Sequence, residues 1–345
     1  MSKRKFQLLF RRSRREERKR LMSTKETSSS HDIEFTERES GIFDIVRDAT
    51  KCSSKKIVAR VAGGWVRDKI LGRPSDDIDI AVDSMSGFEF ATLLDEYLKK
   101  KPENKKGSSK VTRIKANPDQ SKHLETATMK IMGRDIDFVH LRTEEYTDSS
   151  RIPIIKVGTA REDAYRRDLT INALFYNINE DVVEDFTGKG LEDLREGTIR
   201  TPLEPLMTFL DDPLRVLRSL RFMHRYDFEM TKETRDACMN KSVHVALRDK
   251  VSPERVGIEM KKMLRGPNAL TAMRHVFELN LHRVVFKFPK SSENVVGIDD
   301  DDMVDKRIWN RSLRNIDRLV ELRGTISTIL SDVDFCTLGH SLPQT

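Results

Sequence analysis

The chain has 345 residues, of which 37% are hydrophobic and 34% are charged, and its formal net charge is +7. This composition predicts a soluble globular protein with room for two or three cored domains. No stretch reaches the roughly 18 consecutive apolar residues of a membrane span, so no membrane partner is expected. Three widely separated cysteines argue against a disulfide framework or a structural zinc site.

The positive charge is concentrated at the N-terminus. Residues 1–20 hold ten basic and two acidic residues, a net +8, which leaves the rest of the chain at −1. This arm starts with an apolar patch and is compatible with a mitochondrial presequence, although Glu16 and Glu17 count against one. The arm fits three other interpretations equally: a nuclear localisation signal, a tail that contacts RNA, or a basic tail without a targeting function. Met22 could serve as a second start. The expected location is the mitochondrion, or the nucleus and cytoplasm.

The following segments predict a small α/β unit. Helical patterns occur at residues 41–51, 65–72 and 88–100, and strand patterns at 56–64, 77–82, 126–133 and 134–142, with Gly133 as a hairpin turn. Polar loops are expected at 101–110 and 147–153, and the first half of 160–178 is expected to be helical. From Pro205 onward the periodicity is helical, including 214–226, 252–266, 269–281 and 308–324.

The segment GRPSDDIDIAV carries three aspartates into an apolar run. In a strand, Asp77 and Asp79 share one face while the isoleucines occupy the other, and Asp76 belongs to the turn. Two carboxylates on one face suit Mg²⁺, which takes hard oxygen ligands and completes its shell with water and phosphates. A third could come from Asp135 or Asp137 in the next acidic strand. By itself the pattern is more typical of turn or capping aspartates.

A glycine pair, Gly63 and Gly64, precedes this segment and would let backbone N–H groups approach a triphosphate, although a tight turn explains it equally. Together, AGGWVRDKILGRPSDDIDIAV resembles the head signature of the nucleotidyltransferase superfamily, specifically the class II CCA-adding tRNA nucleotidyltransferases and the related bacterial poly(A) polymerases. Three further segments resemble family motifs and occur along the chain in the family's order: DFVHLR, RRDLTINALFYNI and DDPLRVLRSLRF. The eukaryotic branch is the most similar, and the resemblance covers about Ile57 to Pro267.

The resemblance implies an α+β fold, in which a head with a mixed sheet precedes an all-helical neck and partial body. It implies a basic arm at 1–40, a catalytic head at 41–190, a base-recognising neck at 191–268 and a partial body at 269–345 without the tail domain. The chain is therefore expected to be C-terminally truncated, with weakened grip on tRNA.

The resemblance also assigns roles. It selects Asp137 over Asp135 as the third carboxylate, so that Asp77, Asp79 and Asp137 form the catalytic and Mg²⁺ set. It places Arg167 at the triphosphate and Asp168 at the ribose 2′-hydroxyl, with a surface salt-bridge cluster as the alternative. Arg67 joins the nucleotide-binding set, although with Asp68 it is interpreted first as a structural tie to the acidic strand.

Base recognition is assigned to Asp212 and Arg215, which would share a face of one helix. The carboxylate accepts from the amines of cytosine and adenine, while the guanidinium donates to their ring acceptors; guanine and uracil present the reverse. A helix N-cap formed by Asp211-Asp212-Pro213 is the alternative. Arg218 and Arg221 are expected to contact phosphate or base, with a solvated basic stripe as the alternative for Arg221.

The predicted function is template-independent addition of CMP, CMP and AMP from CTP and ATP to the 3′ end of tRNA. Two alternatives remain open: a poly(A) polymerase or a C-only or A-only adding enzyme, and a non-catalytic RNA-binding form. The sequence does not specify an oligomeric state.

Overall fold

The computed structural model describes residues 33–100, 111–114, 126–147 and 150–286, together with residues 311, 314, 315 and 318. The basic arm before residue 33, the predicted loop at 101–110 and the predicted helix at 308–324 lie outside the described residues, apart from those four single positions. The elements fall into a sheet region, residues 37–184, and a helical region, residues 205–285.

The sheet region begins with a helix whose start is fixed by a capping box. The hydroxyl of Thr36 accepts from the backbone of Glu39, and the Glu39 carboxylate accepts from the backbone of Thr36. The elements of this region are α1 Glu37–Cys52, β1 Ala59–Ala62, α2 Gly64–Ile70, β2 Ile78–Val82, α3 Gly87–Lys100, β3 Thr112–Ile114, β4 Thr126–Ile131, β5 Arg134–His140, β6 Arg142–Thr147, β7 Ser150–Val157, α4 Ala160–Tyr165, a 3-10 turn Thr170–Asn172, β8 Phe175–Asn177 and β9 Val182–Glu184.

Seven of these strands form one mixed sheet in the order β3-β4-β5-β2-β1-β8-β9. The pair β2–β5 is parallel and its other neighbouring pairs are antiparallel. Asp79 is the one exposed residue of β2: Ile78, Ile80 and Val82 are buried on one face, and Ala81 is buried on the face of Asp79. α1 and α3 supply much of the cover, through Phe43, Val46, Phe90 and Leu94.

The helical region follows a short connection. It comprises α5 Gly190–Glu196 and β10 Thr198–Ile199 in the connection, then α6 Pro205–Asp211, α7 Leu214–Tyr226, β11 Glu229–Met230, α8 Lys232–Cys238, α9 Lys241–Lys250, α10 Pro253–Leu264, α11 Ala269–Glu278 and α12 His282–Val285. α7 is its centre, because most of its residues are buried and it packs against α10 and α11. The α+β prediction is confirmed, with the mixed sheet followed by helices.

Two local predictions are wrong. The expected loop at 147–153 lies in a hairpin, since β6 and β7 pair antiparallel from Arg142 and Val157 to Thr147 and Ser150. The helical region also contains β11, which pairs in parallel with β10. The first is a hairpin of six- and eight-residue strands, whereas the second pairs only two residues of each strand. No helix among the described residues has the length and apolar character needed to cross a membrane.

Candidate active site

A cavity of about 790 Å³ lies between the sheet region and the helical region. It is polar, and its walls come from both regions. Of the residues singled out in the sequence, the following line it: Gly64, Arg67, Asp77, Asp79, Arg167, Asp168, Asp212, Arg215, Arg218 and Arg221. Gly63 and Asp137 stand just outside this lining.

The acidic edge of the cavity is set by the parallel pairing of β2 and β5. Asp79 is in register with Asp137, so their α-carbons stand on adjacent strands about 4.8 Å apart. Although the Asp79 side chain is accessible from the cavity, the protein around it desolvates the carboxyl and raises its pKa, and the carboxylates of Asp137 and Asp77 raise it further, against the opposing effect of Arg167. An ion or substrate group that binds here must therefore relieve a concentration of negative charge.

Asp137 lies on the same face of the sheet as Asp79, and Thr128 of β4 is its neighbour on the other side. Its Oδ1 accepts a hydrogen bond of 2.6 Å from the hydroxyl of Thr128, the residue opposite it on β4. In the described residues, no three His, Cys, Asp or Glu side chains converge into a ready-made metal site. Two oxygen-donor carboxylates nevertheless fit Mg²⁺, which commonly takes one or two carboxylates and completes its shell with phosphate and water.

The two remaining aspartates, Asp76 before β2 and Asp135 on β5, lie outside the cavity lining. Asp76 is 91% exposed and its Oδ1 lies 2.6 Å from Nη2 of Arg134, at the start of β5. Asp135 is also exposed, with its Oδ1 3.9 Å from Nζ of Lys130. Neither lines the cavity.

The glycine pair forms a tight turn against Arg167. Gly63 has φ of +71°, and a Cβ there would stand 2.5 Å from Nη1 of Arg167. Arg167 is held from the other side by Asp163, whose Oδ2 accepts from Nη2 at 2.7 Å and from Nε at 3.0 Å. Burial alone would raise the pKa of Asp163, but Arg167 and Arg166 lower it below its ordinary value. The turn and a charged clamp thus fix this guanidinium.

Asp168 links the two regions. Its Oδ1 accepts from the backbone N–H of Leu169 and the amide of Asn172, both at 2.9 Å, and its Oδ2 lies 2.7 Å from both Nε and Nη2 of Arg218. Burial opposes ionisation, but Arg218 and Asn172 outweigh it and lower the pKa of Asp168 to about 2. All four lone-pair positions of the carboxylate have a donor, so a ribose hydroxyl must displace or share one.

Asp212 and Arg215 line the cavity together, but they do not share a helix face. Asp212 is extended, at φ −129° and ψ 96°, between the end of α6 and Pro213. Its Oδ1 accepts from the backbone N–H of Leu214 at 3.2 Å, but the N-cap position of α7 is Pro213 and carries no side-chain capping bond. Nη2 of Arg215 donates to the main-chain oxygen of Arg166 at 2.7 Å. The sequence-based geometry missed this helix break, and both residues line the cavity at the start of α7.

Arg67 and Asp68 tie α2 to α7 rather than to the acidic strand. They form a buried ion pair of 2.9 Å, and Asp68 accepts from the hydroxyl of Tyr226 at 2.6 Å. The Arg67 guanidinium also stacks 4.9 Å from the ring centres of Phe222 and Tyr226. The predicted structural role is therefore present, with a different partner, while Arg67 also borders the cavity.

Arg221 is also paired rather than part of a solvated stripe. Its Nε donates to Oε2 of Glu259 on α10 at 2.5 Å, and its guanidinium lies 4.1 Å from the ring centre of Phe222.

Sequence reasoning missed three buried acids that hold the site arginines. These are Asp163, Glu144 and Glu259, and each lies within 2.8 Å of an arginine that lines the cavity. Asp163 could have been found, because its spacing of three and four residues from Arg166 and Arg167 is that of helical ion pairs. Glu144 and Glu259 meet their partners only through tertiary packing.

Comparison with known proteins identifies the family to which this chain belongs. Residues 59–200 match the family described as "Poly A polymerase head domain", and residues 227–292 match "Probable RNA and SrmB- binding site of polymerase A". The mitochondrial CCA tRNA nucleotidyltransferase of Saccharomyces cerevisiae is 44% identical over 301 residues, which are 82% of this chain and 54% of that protein. The chain belongs to the nucleotidyltransferase family that contains these enzymes.

Other relatives agree. The mitochondrial CCA tRNA nucleotidyltransferase of Candida glabrata is 41% identical, over 86% of this chain and 60% of that protein. A solved CCA-adding enzyme in complex with CTP, 24% identical, shares the fold with a TM-score of 0.62 over 91% of this chain and 61% of that one. This nucleotidyltransferase chain thus spans little more than half the length of the curated relatives it matches. Divalent-metal dependence is the expectation for the family.

Proposed function

We propose that the chain adds CMP, CMP and AMP, from CTP and ATP, to the 3′ end of tRNA without a nucleic-acid template and releases pyrophosphate. The observation that carries the proposal is a single cavity containing both an acidic edge, Asp77 and Asp79, and a paired acceptor and donor, Asp212 and Arg215. The first suits nucleotidyl transfer and the second suits recognition of a base. Relatives named CCA tRNA nucleotidyltransferases support the same reaction.

Asp77, Asp79 and Asp137 would hold Mg²⁺, with Thr128 orienting the Asp137 carboxylate by donating to its Oδ1. A bound divalent ion would stabilise negative charge on the phosphates and favour deprotonation of the attacking 3′-hydroxyl. The protein contributes a fixed strand, since the isoleucines on either side of Asp79 are buried. Such fixed placement lowers the cost of bringing the reacting groups together.

Arg167 and the Gly63–Gly64 turn would receive the triphosphate. Arg167 is already held by Asp163 at 2.7 Å, so little side-chain freedom remains to be lost on binding. Asp168 would reach the ribose 2′-hydroxyl by sharing one of its lone-pair positions, which makes Arg218 a competitor for the same oxygen. Arg218 and Arg221 continue the basic wall along α7.

Asp212 and Arg215 would select the base. Cytosine and adenine each offer an amine donor beside a ring acceptor, which matches a carboxylate beside a guanidinium. Guanine and uracil present a carbonyl and an N–H in those places, leaving buried polar groups unpaired, which is the costly case. The extended backbone at Asp212 fixes its carboxylate through the bond to Leu214.

We also infer that tRNA is the acceptor and that the protein acts in the mitochondrion, as the names of the yeast relatives suggest. A solved relative holds a primer tRNA and an ATP analogue, and its fold matches this chain with a TM-score of 0.59. Targeting is tested by imaging a fluorescent fusion with and without residues 1–21; loss of mitochondrial signal in the shorter form supports it, and unchanged nuclear or cytoplasmic signal contradicts it.

The reaction is tested with tRNA ending at the discriminator base or at CC, supplied with labelled CTP or ATP. Asp77→Ala should abolish incorporation. Asp76→Ala is the matched control, because it removes a neighbouring carboxylate whose exposed ion pair with Arg134 contributes little. Addition of C then A, lost only in Asp77→Ala, supports CCA addition. A long A tract indicates a poly(A) polymerase, C-only or A-only addition a partial enzyme, and binding without incorporation a non-catalytic form.

A further inference from the structure

Glu144 is a buried acid in the hairpin that the sequence did not reveal. It lies on β6, in register with Ile155 of β7, and only 6% of its side chain is exposed. Both residues line the cavity that contains Asp212 and Arg215. A carboxylate in this position is costly unless cations compensate it.

Three arginines from three different elements surround this carboxylate. Nη1 of Arg166, which follows α4, donates to Oε1 at 2.8 Å, and Nε of Arg142 on β6 lies 3.4 Å from the same oxygen. Nη2 of Arg215, from α7, lies 3.6 Å from Oε2. Glu144 is thus the point where the hairpin, the segment after α4 and the base-proximal helix meet.

The geometry connects Glu144 to Arg215 by two routes. One is the direct charge attraction to Oε2 across 3.6 Å. The other is indirect: Arg215 donates through the same Nη2 to the main-chain oxygen of Arg166, and Glu144 and Asp163 hold the Arg166 side chain at 2.8 and 2.6 Å. Both routes act on Nη2, a terminal nitrogen of the Arg215 guanidinium, and so restrict rotation of that group.

We infer that Glu144 is a positioning residue that sets the orientation of Arg215 and thereby the discrimination of C and A against U and G; this rests on the proposed function. Without the carboxylate charge, the guanidinium groups of Arg142, Arg166 and Arg215 repel one another, and Arg215 moves towards the cavity. The base-reading geometry is then lost, but the positive charge available to a triphosphate increases.

This role has a signature that a merely structural role lacks. A general loosening of the fold would weaken the binding of all four nucleotides to a similar extent. Loss of orientation at Arg215 instead narrows the ratio between CTP and UTP affinity while leaving or raising the affinity for the triphosphate common to both. Because displacement of a positioned group by about 1 Å can cost about 100-fold, we expect the ratio to fall about tenfold.

The test is titration calorimetry of the full chain with the magnesium complexes of CTP, ATP, UTP and GTP. Glu144→Gln keeps the size and removes the charge, and Glu144→Asp keeps the charge but withdraws it from Arg215. Asp193→Asn is the matched control, since Asp193 is a buried acid that lies 3.1 Å from Nε of Arg200 and does not line the cavity. Thermal unfolding of every variant runs in parallel.

The inference is supported if Glu144→Gln lowers the ratio of CTP to UTP affinity about tenfold without weakening UTP binding, while Asp193→Asn keeps the wild-type ratio. If Glu144→Gln does not fold, Glu144→Asp decides, with a smaller loss of discrimination expected. The inference is overturned if the folded Glu144 variant keeps the wild-type ratio of CTP to UTP affinity. It is also overturned if Asp193→Asn lowers that ratio as much as the Glu144 variant does. Neither result affects the proposed function. A wild-type chain that binds all four nucleotides alike overturns both.

Discussion

The pairing of Asp168 with Arg218 predicts a measurable contribution to stability, tested by Asp168→Asn. The pKa of this carboxyl falls from an ordinary 3.8 to about 2, and that difference corresponds to about 2.5 kcal/mol of stability at neutral pH. Removing one partner of a buried pair can cost about 3–5 kcal/mol, but the Arg218 side chain is 35% exposed and can regain water. We therefore expect a loss of about 2–3 kcal/mol.

The sign of the pH dependence follows from the lowered pKa. Between about pH 4 and pH 2 the unfolded chain binds more protons at this carboxyl than the folded chain, so stability falls as pH falls through that window. The contribution is complete above about pH 4, about half remains at pH 3, and it disappears below pH 2. Asp168→Asn has no such carboxyl and should lack this part of the slope.

The assay is equilibrium urea unfolding of wild type and Asp168→Asn at pH 7, 4 and 3, without nucleotide. The free-energy difference should be about 2–3 kcal/mol at pH 7 and should shrink to about half at pH 3. Asp227→Asn is a control for the loss of one acid at the end of α7, outside the cavity lining. A difference below about 0.5 kcal/mol at pH 7, or one that stays constant down to pH 3, would refute the reasoning.

Three further outcomes are expected. Gly63→Ala places a Cβ 2.5 Å from Nη1 of Arg167 at positive φ, so it should cost about 1–2 kcal/mol in unfolding free energy and weaken CTP binding in calorimetry; unchanged affinity would contradict the turn's role. Tyr226→Phe leaves the buried Asp68 without one donor and should cost about 1–3 kcal/mol in urea unfolding, whereas a neutral result would mean that water replaces the hydroxyl. Burial raises the pKa of Cys238 to about 12, so mass spectrometry at pH 8 should find it alkylated by iodoacetamide only after unfolding; rapid labelling of the folded chain would contradict this.

Much of the sheet region could be predicted because its information is local. The isoleucines at 78 and 80 indicate the covered face of β2, and Asp79 is exposed as expected, although Ala81 on its face is buried. The start of α1 was missed, since the helix was predicted from residue 41, but the capping box at Thr36, like the one at Thr159, is a signature that the sequence contains. Patterns of this kind depend on neighbours within a few residues.

The helix break at Pro213 shows where local reasoning was misapplied. A spacing of three between Asp212 and Arg215 indicates a shared helix face only if the helix is continuous. A proline disfavours helical backbone in the residue before it, so the extended Asp212 was readable from the sequence. In contrast, the register of β2 against β5, which places Asp79 beside Asp137, depends on packing between distant segments.

The position of β1 in the sheet has a consequence for how the chain is made. β1 pairs on one side with β2, which leaves the ribosome soon after it, and on the other with β8, which ends at residue 177. At about 5–20 residues per second, the ~95 residues from β2 to β8 take on the order of 5–20 s to synthesise. During that interval one edge of this future interior strand lacks its native partner and is open to mispairing. Fast or chaperone-poor expression should therefore lower the soluble yield of this nucleotidyltransferase more than its final stability suggests.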